Sequence, residues 1–207
     1  MSRGVFITFE GGEGVGKSTQ IKLLETALME QGRDVIVTRE PGGTPAAEDI
    51  RNVLFDPKHD EAWTAEAETL MMYAARELHI KEVIAPALSA SKIVLCDRYI
   101  DSTRVYQKSC TPLVEALEHH IAKDYMPDMT FILDMDAKTA MARVDSRGVE
   151  NRNDEKDLEF YESLRQGFLD IAKDNSGRCV IVDAEQSIEA IATEIIKVVE
   201  NKVHIPA

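Results

Sequence analysis

A phosphate-binding pattern stands near the start of the chain, at Gly11-Gly12-Glu13-Gly14-Val15-Gly16-Lys17-Ser18. Its spacing fits G-x-x-x-x-G-K-[ST], in which glycines let backbone N–H groups curl around the phosphates of a nucleotide. Lys17 would supply a positive charge to the β- and γ-phosphates, and the hydroxyl of Ser18 would ligate Mg²⁺. A helix predicted to start near Lys17, with Thr19 in its first turn, adds its positive dipole end. The pattern predicts a nucleoside triphosphate and leaves the phosphate acceptor open.

A second candidate for phosphate chemistry is the apolar run Lys92–Cys96, which is followed by Asp97 and Arg98. An apolar strand that ends in a carboxylate has the form of a Walker B segment, so Asp97 would face Ser18 and hold the magnesium shell. Arg98 would place a guanidinium where charge develops on the transferred phosphoryl group. Taken alone, the two residues also suit a turn with a surface ion pair. The phosphate loop upstream favours the catalytic interpretation.

The elements that must position these residues alternate between short apolar runs and longer helical patterns. Strands are predicted at Val5–Glu10, Asp34–Thr38, Lys92–Cys96, Thr130–Asp134 and Cys179–Asp183, and the clearest helices at Lys17–Gln31, Ala65–Ser89, Leu113–Asp124 and Leu158–Asn175. This alternation indicates a P-loop α/β protein, a three-layer α/β/α arrangement around a five-stranded parallel sheet. Ligands of such sheets bind beyond the carboxyl ends of the strands. We expect a single domain over residues 1–207.

Composition limits the classes of function that remain. Hydrophobic residues make up 44% and charged residues 29% of the 207 positions, which suits a globular chain with a full core. The formal net charge of −13 argues against nucleic-acid binding, which needs a basic face. Cys96, Cys110 and Cys179 lack C-x-x-C spacing, so reduced thiols are expected. Without a signal-peptide pattern or a membrane-length apolar stretch, we expect a cytoplasmic location and no membrane partner.

Several separate stretches of the sequence fall into one pattern: Phe9-Glu10-Gly11, T-R-E-P-G-G-T from Thr38, Y-A-A-R from Tyr73, Asp97-Arg98-Tyr99, Ser102-Thr103 and Tyr106-Gln107. In their order and spacing they resemble the thymidylate kinases. The resemblance covers the whole chain, and R-E-P-G-G-T with D-R-Y is specific for this family among nucleoside monophosphate kinases. It implies transfer of a phosphoryl group from ATP, with Mg²⁺, to thymidine 5′-monophosphate (dTMP) in dTTP biosynthesis. It also implies a homodimer.

The resemblance assigns residues to the phosphate and sugar of the acceptor. Arg39 and the Pro41-Gly42-Gly43 turn line the monophosphate site, where glycine lets the backbone approach the ligand. Arg51 resembles an arginine that helps to hold the 5′-phosphate, although at a predicted helix start it could equally lie on the surface. Glu10 is implied to lie near the deoxyribose 3′-hydroxyl.

Other residues are assigned by the resemblance to the acceptor base. Arg76 hydrogen-bonds thymine, a role that a planar fork of donors suits. The position four residues earlier usually holds a stacking aromatic, whereas this chain has Met72, which can still pack against a ring or simply fill the core. Thr103 reads the base edge, and Tyr106 crowds the 2′ position of the sugar. Ser102 and Gln107 complete the predicted acceptor-binding set.

Members of the family differ in where the catalytic arginine comes from. The variable positions of the phosphate loop here, Gly12 to Val15, contain no arginine. The stretch from Arg143 to Arg152 resembles the lid of the bacterial type, and a small lid is expected near residues 143–154. Its closure would bring Arg147 or Arg152 to the γ-phosphate, with Arg143 on the adenine or a phosphate. Which arginine acts stays open.

Two other functions stay open at this point. One is a P-loop kinase of another small acceptor, such as a deoxynucleoside, against which R-E-P-G-G-T and Arg76 count. The other is a nucleotide switch or regulatory ATP-binding module; the N-K-x-D segment of guanine-reading switches does not occur in the sequence.

The acceptor phosphate is already anionic and needs no strong base. We therefore interpret four of the five histidines as surface or packing residues, namely His59, His79, His119 and His120.

Overall fold

A computed structural model describes residues 3–56, 63–145 and 157–202. Within these ranges, five parallel strands form one sheet in the order β2-β3-β1-β4-β5. The strands are β1 (Val5–Glu10), β2 (Val35–Arg39), β3 (Ile93–Asp97), β4 (Met129–Asp134) and β5 (Cys179–Asp183). The predicted five-stranded parallel α/β fold is confirmed, and the strand bounds move by at most one residue.

Helices connect the strands, and a last helix follows β5. They are α1 (Lys17–Glu30), α2 (Pro45–Phe55), α3 (Ala65–His79), α4 (Ala85–Ser89), α5 (Ile100–Tyr106), α6 (Thr111–Ile121), α7 (Ala137–Asp145), α8 (Leu158–Asp174) and α9 (Ile188–Lys202). A π-helical turn, Ile80–Ile84, joins α3 to α4. The predicted helix over Ala65–Ser89 is therefore one helical segment that widens in its middle.

The core lies on both faces of the sheet. Every residue of β1 is buried, as expected for a central parallel strand covered by helices on two sides. Ile7 and Phe9 belong to the cluster formed with α1 and α9, whereas Phe6 packs with Ile80 and Ile84 on the opposite face. In the described part of the chain, no helix combines the length and apolar character that crossing a membrane requires.

The strand register brings the ends of three strands to one edge. Phe9 of β1 stands beside Asp97 of β3, and Asp97 stands beside Arg39 of β2. Because all the strands are parallel, the segments that leave β1, β2 and β3 start at the same edge. The phosphate loop, the Pro-Gly-Gly turn and the Asp97-Arg98 pair therefore meet there.

Candidate active site

The phosphate loop leaves β1 and turns directly into α1. Gly16 precedes the helix in the left-handed region at φ 97°, a conformation that favours glycine. The ammonium of Lys17 donates hydrogen bonds to the carbonyl oxygens of Gly11 at 3.1 Å and Gly12 at 2.7 Å. Burial, reinforced by the charge of Arg98, lowers the pKa of Lys17 to about 8. The lysine is thus largely charged at neutral pH while its partners are neutral carbonyls that a phosphate can replace.

Ser18 and Asp97 meet as the two patterns predicted. The hydroxyl of Ser18 donates to Oδ2 of Asp97 at 3.0 Å. Oδ1 of Asp97 is buried and lacks a hydrogen-bond partner among the described residues. A hydroxyl beside a carboxylate with an open oxygen offers the hard ligands that Mg²⁺ takes alongside water and phosphate oxygens. The described ranges contain no cluster of three His, Cys, Asp or Glu side chains able to hold a metal on their own.

Arg98 connects the phosphate loop to the neighbouring cleft. Its backbone is in the left-handed region at φ 67°, which is uncommon for a residue other than glycine and is found where structure and function over-determine it. Its Nη1 donates to the carbonyl of Gly11 at 3.1 Å and to the hydroxyl of Ser102 at 3.0 Å. Its Nη2 lies 3.4 Å from Oε1 of Glu13, and the guanidinium carbon lies 5.3 Å from the centre of the Tyr106 ring.

Glu10 lies beneath Arg98 and is completely buried. Its carboxylate accepts hydrogen bonds from the backbone N–H of Tyr99 at 2.8 Å and from the hydroxyl of Ser102 at 2.6 Å. Burial raises the pKa of Glu10 to about 7, and the neighbouring charge of Asp101 adds to this. The sequence placed Glu10 near the acceptor sugar. In the structure Glu10 hydrogen-bonds the turn below the cleft, and its role near the sugar stays a prediction.

A cleft of about 390 Å³ opens beside the phosphate loop. Four arginines line it together with four carboxylates, namely Glu13, Glu40, Glu68 and Asp97, so the guanidinium groups that would meet an anionic ligand stand among acidic side chains. Of the predicted acceptor residues, the lining includes Arg39, Pro41, Arg51, Met72, Arg76, Arg98, Ser102, Thr103, Tyr106 and Gln107. Gly42 and Gly43 are outside the lining, as is Glu10.

One end of the cleft is organised by Glu48 of α2. Oε2 of Glu48 accepts from Nη2 of Arg39 at 2.7 Å, and Oε1 accepts from the backbone N–H of Gly43 at 2.9 Å. Arg51 donates to the carbonyl of Pro41 at 3.0 Å. Arg51 lies in the middle of α2 and not at a helix start, because the helix begins at Pro45. Two arginines and a glycine turn therefore converge on one wall, an arrangement suited to a phosphate.

The other end of the cleft is built around Arg76, which is only 2% exposed. Nε donates to Oε2 of Glu40 at 2.7 Å, and Nη2 donates to the hydroxyl of Thr103 at 2.8 Å. The guanidinium lies over the rings of Tyr73 and Tyr99. Burial alone would lower the pKa of Arg76, but the charge of Glu40 more than offsets it, and the pKa is raised. Nη1 is buried without a hydrogen-bond partner among the described residues, a donor that a ligand oxygen would satisfy.

Sequence reasoning missed several residues of this cleft. Glu40 lies within the R-E-P-G-G-T segment and has no predicted role, although a buried arginine requires a carboxylate partner. Phe55 of α2 and Phe160 of α8 also line the cleft and give it aromatic surface beside Met72. Phe160 packs edge-on to Tyr106 at a centroid distance of 6.5 Å. No local pattern marks Phe160, because it reaches the cleft from a helix far along the chain.

The predicted lid is described only at its start. Arg143 lies in the last turn of α7, whereas Arg147 and Arg152 lie outside the described residues. The root of this segment touches the phosphate loop: a Cβ added to Gly14 would lie 3.2 Å from both the carbonyl carbon of Ala140 and Cγ2 of Val144. The phosphate loop and α7 are therefore in direct contact.

The sheet order, the loop after β1 and the Asp97-Arg98 pair after β3 define the class as a P-loop α/β nucleotide-binding protein. The family model described as thymidylate kinase matches residues 9–195. A thymidylate kinase of Caulobacter vibrioides is 46% identical over 206 residues, covering 98% of this chain and 99% of the relative. One from Ruegeria pomeroyi is 41% identical over 201 residues, covering 95% and 94%. The chain belongs to the thymidylate kinase family.

A solved structure supports the same assignment. The crystal structure of thymidylate kinase from Ehrlichia chaffeensis superimposes with a TM-score of 0.76 at 36% sequence identity. The match covers 96% of this chain and 99% of that chain. The likeness therefore extends over nearly the whole of both chains.

Proposed function

We propose that this chain transfers the γ-phosphoryl group of ATP to dTMP, yielding the diphosphate in the biosynthesis of dTTP. The observation that carries the proposal is Arg98, which contacts the phosphate loop on one side and the arginine-lined cleft on the other. Two anionic nucleotides bound on either side of this guanidinium would meet end to end. Family membership supplies the activity and the pair of substrates.

The donor side holds the triphosphate through the loop and the start of α1. The loop N–H groups and Thr19 at the helix N-terminus surround the phosphates, and Lys17 exchanges its loop carbonyls for phosphate oxygens. Ser18 and Asp97 would hold Mg²⁺, which when bound neutralises charge on the β- and γ-oxygens. Arg143, Arg147 and Arg152 of the lid are proposed to complete the donor side over ATP.

The acceptor side orients dTMP along the cleft. Arg39 and Arg51 take the 5′-phosphate at the wall where they converge on Pro41. Arg76 offers its open donor to the base at the other end, with Thr103 beside it. Glu13 is one of four carboxylates that line the cleft, and it pairs with Arg98.

Further lining residues complete the acceptor side. Tyr106 packs below Arg98 and narrows the cleft at the sugar. Ser102, Gln107 and Met72 close the remaining wall.

The chemistry then requires alignment and charge stabilisation. The attacking oxygen belongs to a phosphate that is already anionic, so no side chain has to remove a proton. Arg98 stabilises charge on the transferred group because its guanidinium is fixed in advance by Gly11, Ser102 and Glu13. A donor that is already in position costs no reorganisation at the moment of transfer.

The assembly state and location are part of the proposal. The family resemblance favours a homodimer, and neighbouring helices α2 and α3 expose Val53 at 43% and Leu70 at 51%. Burying such side chains against a second copy would remove apolar surface from water. Light scattering after size exclusion tests this: the wild type should run as a dimer and Leu70→Glu should shift it toward the monomer. The expected location is the cytoplasm.

A coupled assay of ATP consumption tests the proposed reaction. The purified chain is offered dTMP, dUMP, dCMP, AMP, GMP and thymidine in turn, with and without Mg²⁺. Turnover should be greatest with dTMP, absent with the purine monophosphates and thymidine, and lost when EDTA removes the metal. Turnover of thymidine but not dTMP would favour a deoxynucleoside kinase instead, and nucleotide binding without turnover would favour a regulatory module.

A further inference from the structure

We propose that His79 is a positioning residue for the acceptor nucleotide, holding the base-reading Arg76 and the Pro-Gly-Gly turn in their working geometry. His79 ends α3 and is 0% exposed, so it touches neither solvent nor ligand. The inference rests on the proposed function, because it concerns how that acceptor site is shaped. By sequence alone, His79 is interpreted as a packing or surface residue.

A chain of hydrogen bonds joins His79 to the base-reading end of the cleft. Nδ1 of His79 lies 2.9 Å from Oε1 of Glu40, and the other carboxylate oxygen, Oε2, accepts from Nε of Arg76 at 2.7 Å. Arg76 continues the chain to Thr103 at 2.8 Å. Both oxygens of Glu40 are thus occupied, one by the histidine and one by the arginine. The imidazole thereby fixes the rotation of the carboxylate, and the carboxylate fixes the plane of the guanidinium.

The opposite nitrogen fixes the histidine itself. Nε2 lies 2.7 Å from the hydroxyl of Thr38 at the end of β2. Because a carboxylate only accepts, Nδ1 carries the proton toward Glu40, and Nε2 makes the second hydrogen bond, with the hydroxyl of Thr38. The ring is therefore held in one orientation, which is set by β2 and the segment that follows it.

A second contact extends the role of His79 to the phosphate end. Gly43 lies against the imidazole, since a Cβ built at this position would be 2.6 Å from Nε2 and 2.8 Å from the hydroxyl of Thr38. Gly43 is at φ 87° and donates its N–H to Glu48, the partner of Arg39. One buried ring therefore supports the turn at one end of the cleft and the arginine at the other. The distance between the base site and the phosphate site depends on this ring.

Two substitutions separate positioning from plain packing. His79→Phe keeps the ring volume but removes both hydrogen bonds, which leaves Oε1 of Glu40 buried without its donor. His79→Asn is smaller, yet its amide nitrogen occupies the place of Nδ1 and can still donate to Glu40. If His79 only filled space, the phenylalanine variant would be the milder one. Positioning predicts the reverse order.

The measurement is steady-state kinetics and calorimetric binding for each nucleotide separately. We expect His79→Phe to raise KM and Kd for dTMP by about 10-fold or more, as for loss of a hydrogen bond to a charged group. His79→Asn should recover most of that affinity, and KM for ATP should stay at the wild-type value in both. His119→Phe, on the exposed face of α6, is the matched control and should change nothing.

Thr38→Val provides an independent variant should His79→Phe not fold. It preserves shape and removes only the bond to Nε2, so KM for dTMP should rise about 3-fold without a change for ATP. The inference is overturned if the folded variants bind dTMP like the wild type, if ATP and dTMP weaken equally, or if His79→Asn is worse than His79→Phe. Failure of the wild type to use dTMP would instead overturn the proposed function.

Discussion

The proposed donor side, at the phosphate loop, and the proposed acceptor side, at the cleft, hold positive charge in different ways. Lys17 on the donor side is hydrogen-bonded to the neutral carbonyls of Gly11 and Gly12. Each of three cleft arginines is instead paired with a carboxylate: Arg39 with Glu48, Arg76 with Glu40 and Arg98 with Glu13. Neutral partners give way readily to phosphate, whereas ion pairs fix a guanidinium in advance.

The difference between the two sides matches what each must recognise. A triphosphate is the same in every nucleotide, so a loop of backbone N–H groups and one adjustable cation is sufficient. One monophosphate among several must be told apart at the acceptor side by the edge of its base. Such discrimination needs donors whose direction is fixed, which a buried arginine between a carboxylate and two rings provides.

The strongest test of the comparison removes the donor-side cation. Lys17→Ala should lower kcat by on the order of 10³-fold, because the charge facing the transferred phosphoryl group is lost. Lys22→Ala, an exposed lysine one turn further along α1, is the control and should retain full activity. Affinity for dTMP, measured by calorimetry without ATP, should be unchanged. A comparable loss of dTMP binding would show that the two sides are not separable.

Arg98 belongs to both sides, and its substitution should affect kcat by about 10²- to 10³-fold. The left-handed backbone of Arg98 permits a matched pair of variants. Arg98→Gly suits φ 67° and Arg98→Ala does not, so the glycine variant should be more stable by up to about 1 kcal/mol. If the guanidinium is responsible for the activity, and the backbone conformation of the turn is not, kcat should fall by the same factor in both variants. Near-full turnover in either variant would contradict the phosphate-clamp role.

The acceptor side is tested alone by Arg76. Arg76→Ala should raise KM for dTMP by about 10²-fold, since a buried charged hydrogen bond to the base is lost and Glu40 is left without its cation. Arg76→Lys keeps the charge but not the planar fork, and should recover little. KM for ATP should stay unchanged, as measured with saturating dTMP. If Arg76→Lys had the wild-type KM for dTMP, the positive charge alone would account for binding, and the fixed direction of the guanidinium donors would not matter.

The smallest expected effect concerns pH and the donor side. With a pKa of about 8 in the free protein, Lys17 loses its proton as pH rises through that value. A bound triphosphate raises the pKa again, so ATP binding takes up a proton near pH 8 and its affinity falls by about 10-fold between pH 7 and pH 9. Calorimetry in buffers of different ionisation enthalpy measures the uptake. The uptake should vanish in Lys17→Ala and be absent from dTMP binding.

The two sides also differ in how far the sequence predicts them. The phosphate loop was found whole because its groups lie in eight consecutive residues, where spacing alone encodes geometry. The strands were placed well because each is apolar on both faces. The ion pairs of the cleft join residues far apart, with 36 positions between Glu40 and Arg76 and 85 between Glu13 and Arg98. Such pairs depend on how the helices pack, which local patterns do not specify.

Thr44-Pro45 is a sequence signal for a helix start that shows where Arg51 lies. Arg51 is predicted at the start of a helix, whereas α2 begins at Pro45, and the hydroxyl of Thr44 accepts from the N–H of Ala47 at 3.2 Å. A threonine followed by proline is a common way to start a helix, and it puts Arg51 nearly two turns inside. Glu10 is a different case, because nothing local distinguishes a carboxylate that faces the cleft from one that is buried beneath it. Its contact with the acceptor sugar stays a prediction.

Gly14 is packed so closely against α7 that only hydrogen fits in place of a side chain. Ala140 and Val144 fill the space that a Cβ would need, within 3.2 Å of it. A larger residue at position 14 would therefore have to displace either the phosphate loop or α7. Conversely, a shift of the loop toward α7 would meet the backbone of Ala140 without an intervening side chain.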